Sequence, residues 1–172
     1  MTTEIREEIP QDHEAVYRIH ELAFKQAGEA KLVDALRKSS AFIPALSLVA
    51  ISDRAISGHI LFTKIRIKNS SSIHESLALA PVSVHPDLQH RGIGTALIRA
   101  GLQKAGNLGY GSVIVLGHEH YYPKFGFLPA AGWQIKAPFE VPSNAFMALE
   151  LKPGGLSGVN GTVEYAREFE MV

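Results

Sequence analysis

One stretch constrains the fold more than any other: VSVHPDLQHRGIGTALIRAG at residues 82–101, followed by the apolar run SVIVLG at 112–117. Val82 and Val84 have the β-branched character of a strand, and Pro86-Asp87 punctuates it. From Thr95 to Ala105, the residues Leu97, Ile98, Gly101, Leu102 and Ala105 recur with helical spacing, and Gly106 and Gly109 stand where that helix is expected to stop. A continuous apolar run such as 112–117 suits a strand covered on both faces. Strand, glycine loop, helix and strand make a crossover unit, which returns its second strand parallel to the first. Residues 82 and 115 are therefore expected on parallel strands.

The flanking segments predict the rest of an α/β chain. Residues 2–8 mix polar and apolar positions loosely, as an edge strand does. Pro10 and Asp12 announce a helix with Glu14 in its first turn; Val16, Ile19 and Ala23 form its stripe with Phe24 beside it, and Gly28 is expected to break it. Leu32, Val33 and Leu36 mark a second short helix ending near Ser39. LSLVAIS (46–52) and ISGHILFTKIRI (56–67) read as a hairpin turning at the intervening Asp-Arg-Ala. ESLALAPVSVH (75–85) reads as a strand with Pro81 in its interior, and a proline there predicts a bulge because it cannot donate to a ladder. AFMALEL (145–151) is expected to be the closing strand, so that residues 1–152 form one domain and 153–172 a glycine-bearing tail packed on it. GTVEYAREF within that tail has the character of an added strand or of an arm to a neighbouring subunit.

Composition narrows the functions. Seventeen Lys and Arg residues balance 17 Asp and Glu residues, which removes the bulk electrostatic case for nucleic acid or an anionic membrane surface. Any polyanion must be held by a local site. With no cysteine, thiolate nucleophiles and cysteine-ligated zinc are excluded together. The polar, acidic start MTTEIREEIP is unlike a secretory signal, and no apolar run is long enough to span a bilayer, so a cytoplasmic protein is expected. On that expectation the sequons at Asn69 and Asn160 are chance matches.

The glycines at the helix start suggest the local site. A helix N-terminus presents unpaired N–H groups and partial positive charge, and glycines let backbone close around an anion. Arg91 adds a full charge. Gly92-Ile93-Gly94 begins like a dinucleotide fingerprint, but Leu97 stands at its third glycine, and no GxxxxGK[ST] run exists. A ligand-free glycine turn is the plainer alternative.

QHRGIG at 89–94 matches the Q/R-x-x-G-x-G/A signature of the GNAT superfamily, the acyl-CoA-dependent N-acyltransferases, and YYPKFGF at 121–127 resembles its second marker, a tyrosine four residues before the glycine of a Gly-Phe pair. The resemblance covers roughly residues 3 to 151 and is strongest to a bacterial subgroup of predicted acetyltransferases with unassigned acceptors. It implies a mostly antiparallel sheet with one splayed parallel pair, flanked by helices, and transfer of an acetyl group from acetyl-CoA to an amine by direct attack in a ternary complex, with no metal. By that resemblance, main chain at Val82, Ser83 and Val84 holds the pantetheine and acetyl carbonyl, and Gln89, His90, Arg91, Gly92, Ile93, Gly94 and Thr95 cradle the pyrophosphate. Tyr122 takes the general-acid position.

The base is less legible. Many relatives carry a glutamate on the strand before the glycine loop, whereas LALAPVS at 77–83 has no carboxylate. Glu119 and His118, with His120, remain as candidates, or a water chain. Those residues also tempt a metal reading, but no His-Glu pair completes an HExxH zinc helix. Phe24, Glu29 and Glu140 are nominated for the acceptor pocket, the acceptor being an amine of a small molecule, protein or peptide. A non-catalytic acyl-CoA sensor or interaction module is the alternative function, and a homo-oligomer is compatible with the sequence.

Overall fold

Nine strands and three α-helices follow one another in a computed structural model that describes residues 2–171. They fall into two compact units: the described residues up to Thr63 with Ala80–Lys104 and the segment from Ala166 on, and Lys64–Leu79 with Ala105–Tyr165.

The first unit opens with β1 (Thr3–Glu7), a 3-10 turn at Pro10–Asp12, α1 (His13–Phe24) and α2 (Gly28–Arg37), and continues into β2 (Phe42–Ser52) and β3 (Ala55–Lys68). Asp12 closes the entry to α1, accepting from the Ile9 N–H at 2.8 Å and from Arg6 at 2.7 and 3.1 Å. The break after α1 differs from the sequence expectation. Lys25 takes the left-handed turn at φ 57°, and Gly28 opens α2 instead of interrupting α1. β1 and β2 pair antiparallel, as do β2 and β3 through the expected turn, where Asp53 and Arg54 both have positive φ. That matches the hairpin geometry whose backbone twist suits the flanking strands.

Two layers of helix explain why β3 is buried without alternation from Ser57 to Thr63. Leu61 turns to Val16, Leu32, Val33 and Leu36 of α1 and α2. Phe62, pointing the other way, meets α3 (Ile93–Asn107), where an ideal Cβ on Gly101 would stand 2.2 Å from the Phe62 ring. The close approach requires glycine. Gly101→Val is expected to destabilise the fold by about 1–3 kcal/mol through overpacking, read as a lower urea midpoint at unchanged slope. α3 begins two residues earlier than its apolar spacing predicts and runs through Gly106; Gly109, at φ 95°, lies just beyond its end.

In the second unit, β4 (Ile73–Val84) pairs parallel with β5 (Ser112–Leu116) at Leu77↔Val113 and Ala78↔Ile114. β8 (Phe146–Glu150) runs antiparallel to β5, and the two-residue β6 (Leu128–Pro129) antiparallel to β8. The tail is structured: β9 (Gly161–Glu164) pairs antiparallel with β3 at Arg66–Lys68 and parallel with β7 (Ile135–Lys136). Phe146 is therefore not in the last strand, and a second parallel pair joins the expected one. Ile65, Ile67, Ile114, Ile135, Leu156 and Val163 form this unit's core. Among the described residues no helix is long and apolar enough to cross a membrane.

Candidate active site

The glycine loop is tied to the strand before it by polar contacts that its own residues supply. His85 N–H donates to the Ser57 carbonyl at 2.8 Å, the Leu88 N–H to the His85 carbonyl at 2.8 Å, and the Gln89 side-chain amide back to the Val84 carbonyl at 3.2 Å. The chain then turns through two left-handed residues, His90 at φ 64° and Gly92 at φ 85°, before the Ala96 N–H closes the first helical turn on the Gly92 carbonyl at 3.0 Å. An ideal Cβ on Gly92 meets nothing within 4 Å, so the space beside this helix start is open. The cause of the close packing lies one strand away. At Gly58 a Cβ would sit 2.9 Å from the Ser83 carbonyl and 3.0 Å from Leu97, so a bare backbone there lets Ile93 and Leu97 press α3 onto the sheet.

Of the residues named for the cofactor, Gln89, His90, Arg91 and Gly92 are exposed, while Gly94 and Thr95 are half-buried and Ile93 is buried into the core. Val82 and Val84 are half-buried and Ser83, between them, is 6% exposed with its side chain turned inward. All ten lie in the first unit.

Tyr122 belongs to the second unit. It starts a 3-10 turn, Tyr122–Phe125, that Pro123 pre-sets and Gly126 ends at φ 101°. Its ring packs edge-on against Tyr121 and Phe127 at 5.1 and 5.7 Å. Burial, and secondarily Tyr121, pushes the phenol up to about 12. It therefore holds its proton throughout the neutral range. Gly117, at the end of β5, makes room for the ring: a Cβ there would come within 2.3 Å of it. His118 and Glu119 follow on an exposed loop, where Glu119 accepts from the Asn144 side-chain amide and also faces His120 at 3.5 Å.

The acceptor candidates divide between the units. Phe24 ends α1, 37% exposed, and stacks on His20 at 6.1 Å; Glu29 opens α2 and accepts from the Gln26 amide at 2.9 and 3.2 Å. Glu140 lines an open cavity of about 580 Å³ in the second unit, with Lys136, Phe139 and Phe146 among its walls.

A model of the acetyltransferase (GNAT) family matches residues 13–127, a span that holds both the glycine loop and Tyr122. The chain belongs to the GNAT family. It is 38% identical to the uncharacterized N-acetyltransferase YjhQ of Escherichia coli over 132 residues, 76% of this chain and 73% of the relative. It is also 31% identical to the uncharacterized N-acetyltransferase YhbS of Escherichia coli over 166 residues, 96% of this chain and 97% of the relative. The crystal structure of YhbS in complex with CoA superposes with a TM-score of 0.90 at 29% identity, over 98% of this chain and 92% of that one. A GNAT acetyltransferase from Brucella melitensis, in complex with acetyl-CoA, aligns with a TM-score of 0.79 at 33% identity, over 98% of both chains. The fold expected from the family is the fold observed.

Two histidines escaped the sequence reading. His20 and His59 are both fully buried and hydrogen-bond to each other, His20 also to Ser83 and His59 to Ser47. The signal for His20 was present, because it falls four residues after Val16 on the apolar stripe of α1. His59 offered none, since it sits in a strand that is buried on both faces.

Proposed function

We propose that this protein transfers an acetyl group from acetyl-CoA to an amine by direct attack in a ternary complex. The observation that carries the reading is the backbone at Gly92: a left-handed glycine at the start of a long helix, open on its outer side and next to Arg91. Such a helix start offers N–H donors and positive potential to a pyrophosphate. Support comes from the CoA and acetyl-CoA complexes of two relatives that align over 98% of this chain.

In this reading the main chain of Val82 and Val84 takes the pantetheine and the thioester carbonyl, whose developing oxyanion needs a fixed N–H donor. The amine attacks the carbonyl carbon, the C–S bond breaks, and the leaving thiolate receives a hydrogen bond and then a proton from Tyr122. The tyrosine's elevated pKa keeps this donor loaded. In the second unit, Glu140 and Phe139 in the lining of the open cavity offer a carboxylate and an aromatic face to an acceptor amine; in the first unit, Phe24 and Glu29 are the other candidates for that role.

Calorimetric titration with acetyl-CoA and with desulfo-CoA tests the cofactor site. Gly92→Glu puts a carboxylate where the pyrophosphate is expected, and affinity should fall at least about 100-fold. The fold should survive, because the added Cβ meets open space and the left-handed φ costs only about 1–2 kcal/mol. Equal affinity in the variant and the wild type would place the cofactor elsewhere.

A further inference from the structure

The strand that holds the acetyl group in the proposed reaction carries no carboxylate, yet it does carry a hydroxyl aimed into a buried polar row. Ser83 Oγ lies 2.8 Å from His20 Nδ1, His20 Nε2 lies 2.8 Å from His59 Nδ1, and His59 Nε2 lies 2.9 Å from Ser47 Oγ. Each distance is that of a well-formed hydrogen bond. Glu8 Oε2 stands 3.7 Å from the same His59 nitrogen, beyond hydrogen-bond length but close enough to stabilise charge on the ring. Arg37 fixes that carboxylate with bonds of 2.8 and 2.9 Å, and Glu8 Oε1 faces His13 at 3.9 Å, whose side chain is 42% exposed. The row therefore leads from the strand at the glycine loop to the surface within one compact unit.

We propose that Ser83, His20 and His59 form a proton relay that serves as the base for the acetyl acceptor. The proposal rests on the acetyltransferase reading above. A neutral imidazole has one donor and one acceptor nitrogen, so a row of Ser, His, His and Ser can be hydrogen-bonded in either of two directions. Converting one direction into the other passes a proton along the row without moving a heavy atom. Both rings are fully buried, and burial is the first cause holding His20 down at about 2 and His59 at about 3. For His20, His59 and Arg37 push the same way and Glu8 opposes; for His59, Arg37 and His13 push the same way and Asp12 opposes. The rings are thus neutral at rest, the state in which relay is possible. A doubly protonated ring would have two donors and would block it.

The proton balance closes without any further reagent. The acceptor attacks as the free amine, its ammonium having first given one proton to solvent; as the C–N bond forms, the nitrogen becomes strongly acidic and gives a second proton to Ser83 Oγ. The Ser83 hydrogen moves to His20 Nδ1, the Nε2 hydrogen of His20 to His59 Nδ1, and the resulting charge on His59 is held by Glu8 until a proton leaves through Glu8 and His13 to water. Tyr122 gives its proton to the CoA thiolate as the C–S bond breaks and takes another from solvent. An ammonium and a thioester become an amide, a thiol and one solvent proton.

The test compares wild type with Ser83→Ala, Ser83→Thr, His20→Gln and His59→Gln. Glutamine keeps bulk and hydrogen bonding but cannot exchange donor and acceptor roles as an imidazole does. Desulfo-CoA binding is measured by calorimetry. Thiol release from acetyl-CoA is followed with water, phenethylamine, spermidine and an alanine-starting peptide as acceptors, in H2O and D2O, from about pH 6 to about pH 9. Ser83→Ala, His20→Gln and His59→Gln should bind desulfo-CoA as wild type does and lose about 100-fold in turnover near pH 7. Their rate should climb more steeply with pH than the wild-type rate, because hydroxide must replace the missing base, and the wild-type solvent isotope effect should shrink in them. Ser83→Thr should keep most of the rate. If His20→Gln fails to fold, Ser83→Ala still decides the matter, because it removes only a hydroxyl. An unchanged rate, pH profile and isotope effect in Ser83→Ala would overturn the relay. So would an acetyl group found on Ser83, which would make it a nucleophile, or wild type that binds desulfo-CoA yet releases no thiol with any of these acceptors. Wild type that binds no desulfo-CoA would sink the acetyltransferase reading itself, a different result.

Discussion

Between about pH 7.5 and about pH 5 the protein is expected to lose about 4 kcal/mol of folding stability. The cause is the buried pair His20 and His59, held at about 2 and about 3 when folded against 6.5 for an exposed imidazole. Below 6.5 the unfolded chain takes up two protons that the folded chain refuses, so acid favours unfolding. The stability is present in full above 6.5 and drains as pH falls toward the folded values. Each ring contributes about 1.4 kcal/mol per pH unit over that window, or about 2.7 for the two together. Against a typical total of about 5–15 kcal/mol, that loss is large. Asp12 acts in the same direction only further down, since Arg6 holds its carboxyl below the ordinary value of 3.8. Urea midpoints measured at the two pH values check the claim, with the His20→Gln/His59→Gln double variant as the comparison. Its stability should vary little across the same window. A wild-type midpoint that does not move would mean that the folded pair takes up its protons over the same range as the unfolded chain.

How much of this was legible depends on the range over which the signal acts. The crossover unit could be read because strand, glycine turn and helix each carry a local pattern, and chirality then dictates the parallel return. Its helix runs past Gly106 because one glycine costs a helix only about 1 kcal/mol, which the packing of α3 on Phe62 of β3 at Gly101 outweighs. β6 and β7, two residues each, are too short to have a period, and β9 exists through its pairing with β3 almost a hundred residues earlier. The same contrast governs the site. Tyr122 and the glycine loop stand in contiguous motifs. The polar row joins Ser83 to His20 across 63 positions and His20 to His59 across 39, and nothing in one segment reports the other. A strand without a carboxylate was the only hint that the acceptor's proton must leave by some other route.

Tyr122→Phe is expected to lower turnover with the fastest amine acceptor by about 100-fold while leaving acetyl-CoA affinity within about twofold. The substitution removes one oxygen from a ring that is otherwise fixed by Tyr121, Phe125 and Phe127, so the fold has little reason to respond. The loss belongs in kcat because the phenol acts on charge that appears only as the C–S bond breaks, and an interaction absent from the ground state leaves binding alone. The pKa of about 12 sharpens this. Such a phenol is a reluctant acid against a thiolate near 8.5, so much of its effect must come from hydrogen bonding to the developing charge, with transfer following. It also means that no loss of activity from ionising Tyr122 should appear below about pH 10. Gly117→Ala provides the geometric counterpart, since the new methyl would occupy the space of the Tyr122 ring and displace a phenol that is chemically intact. If position matters as much as the proton, both variants lose turnover together and keep the cofactor. If Tyr122→Phe turns over at the wild-type rate, the tyrosine is a packing residue, and the thiolate must take its proton from solvent.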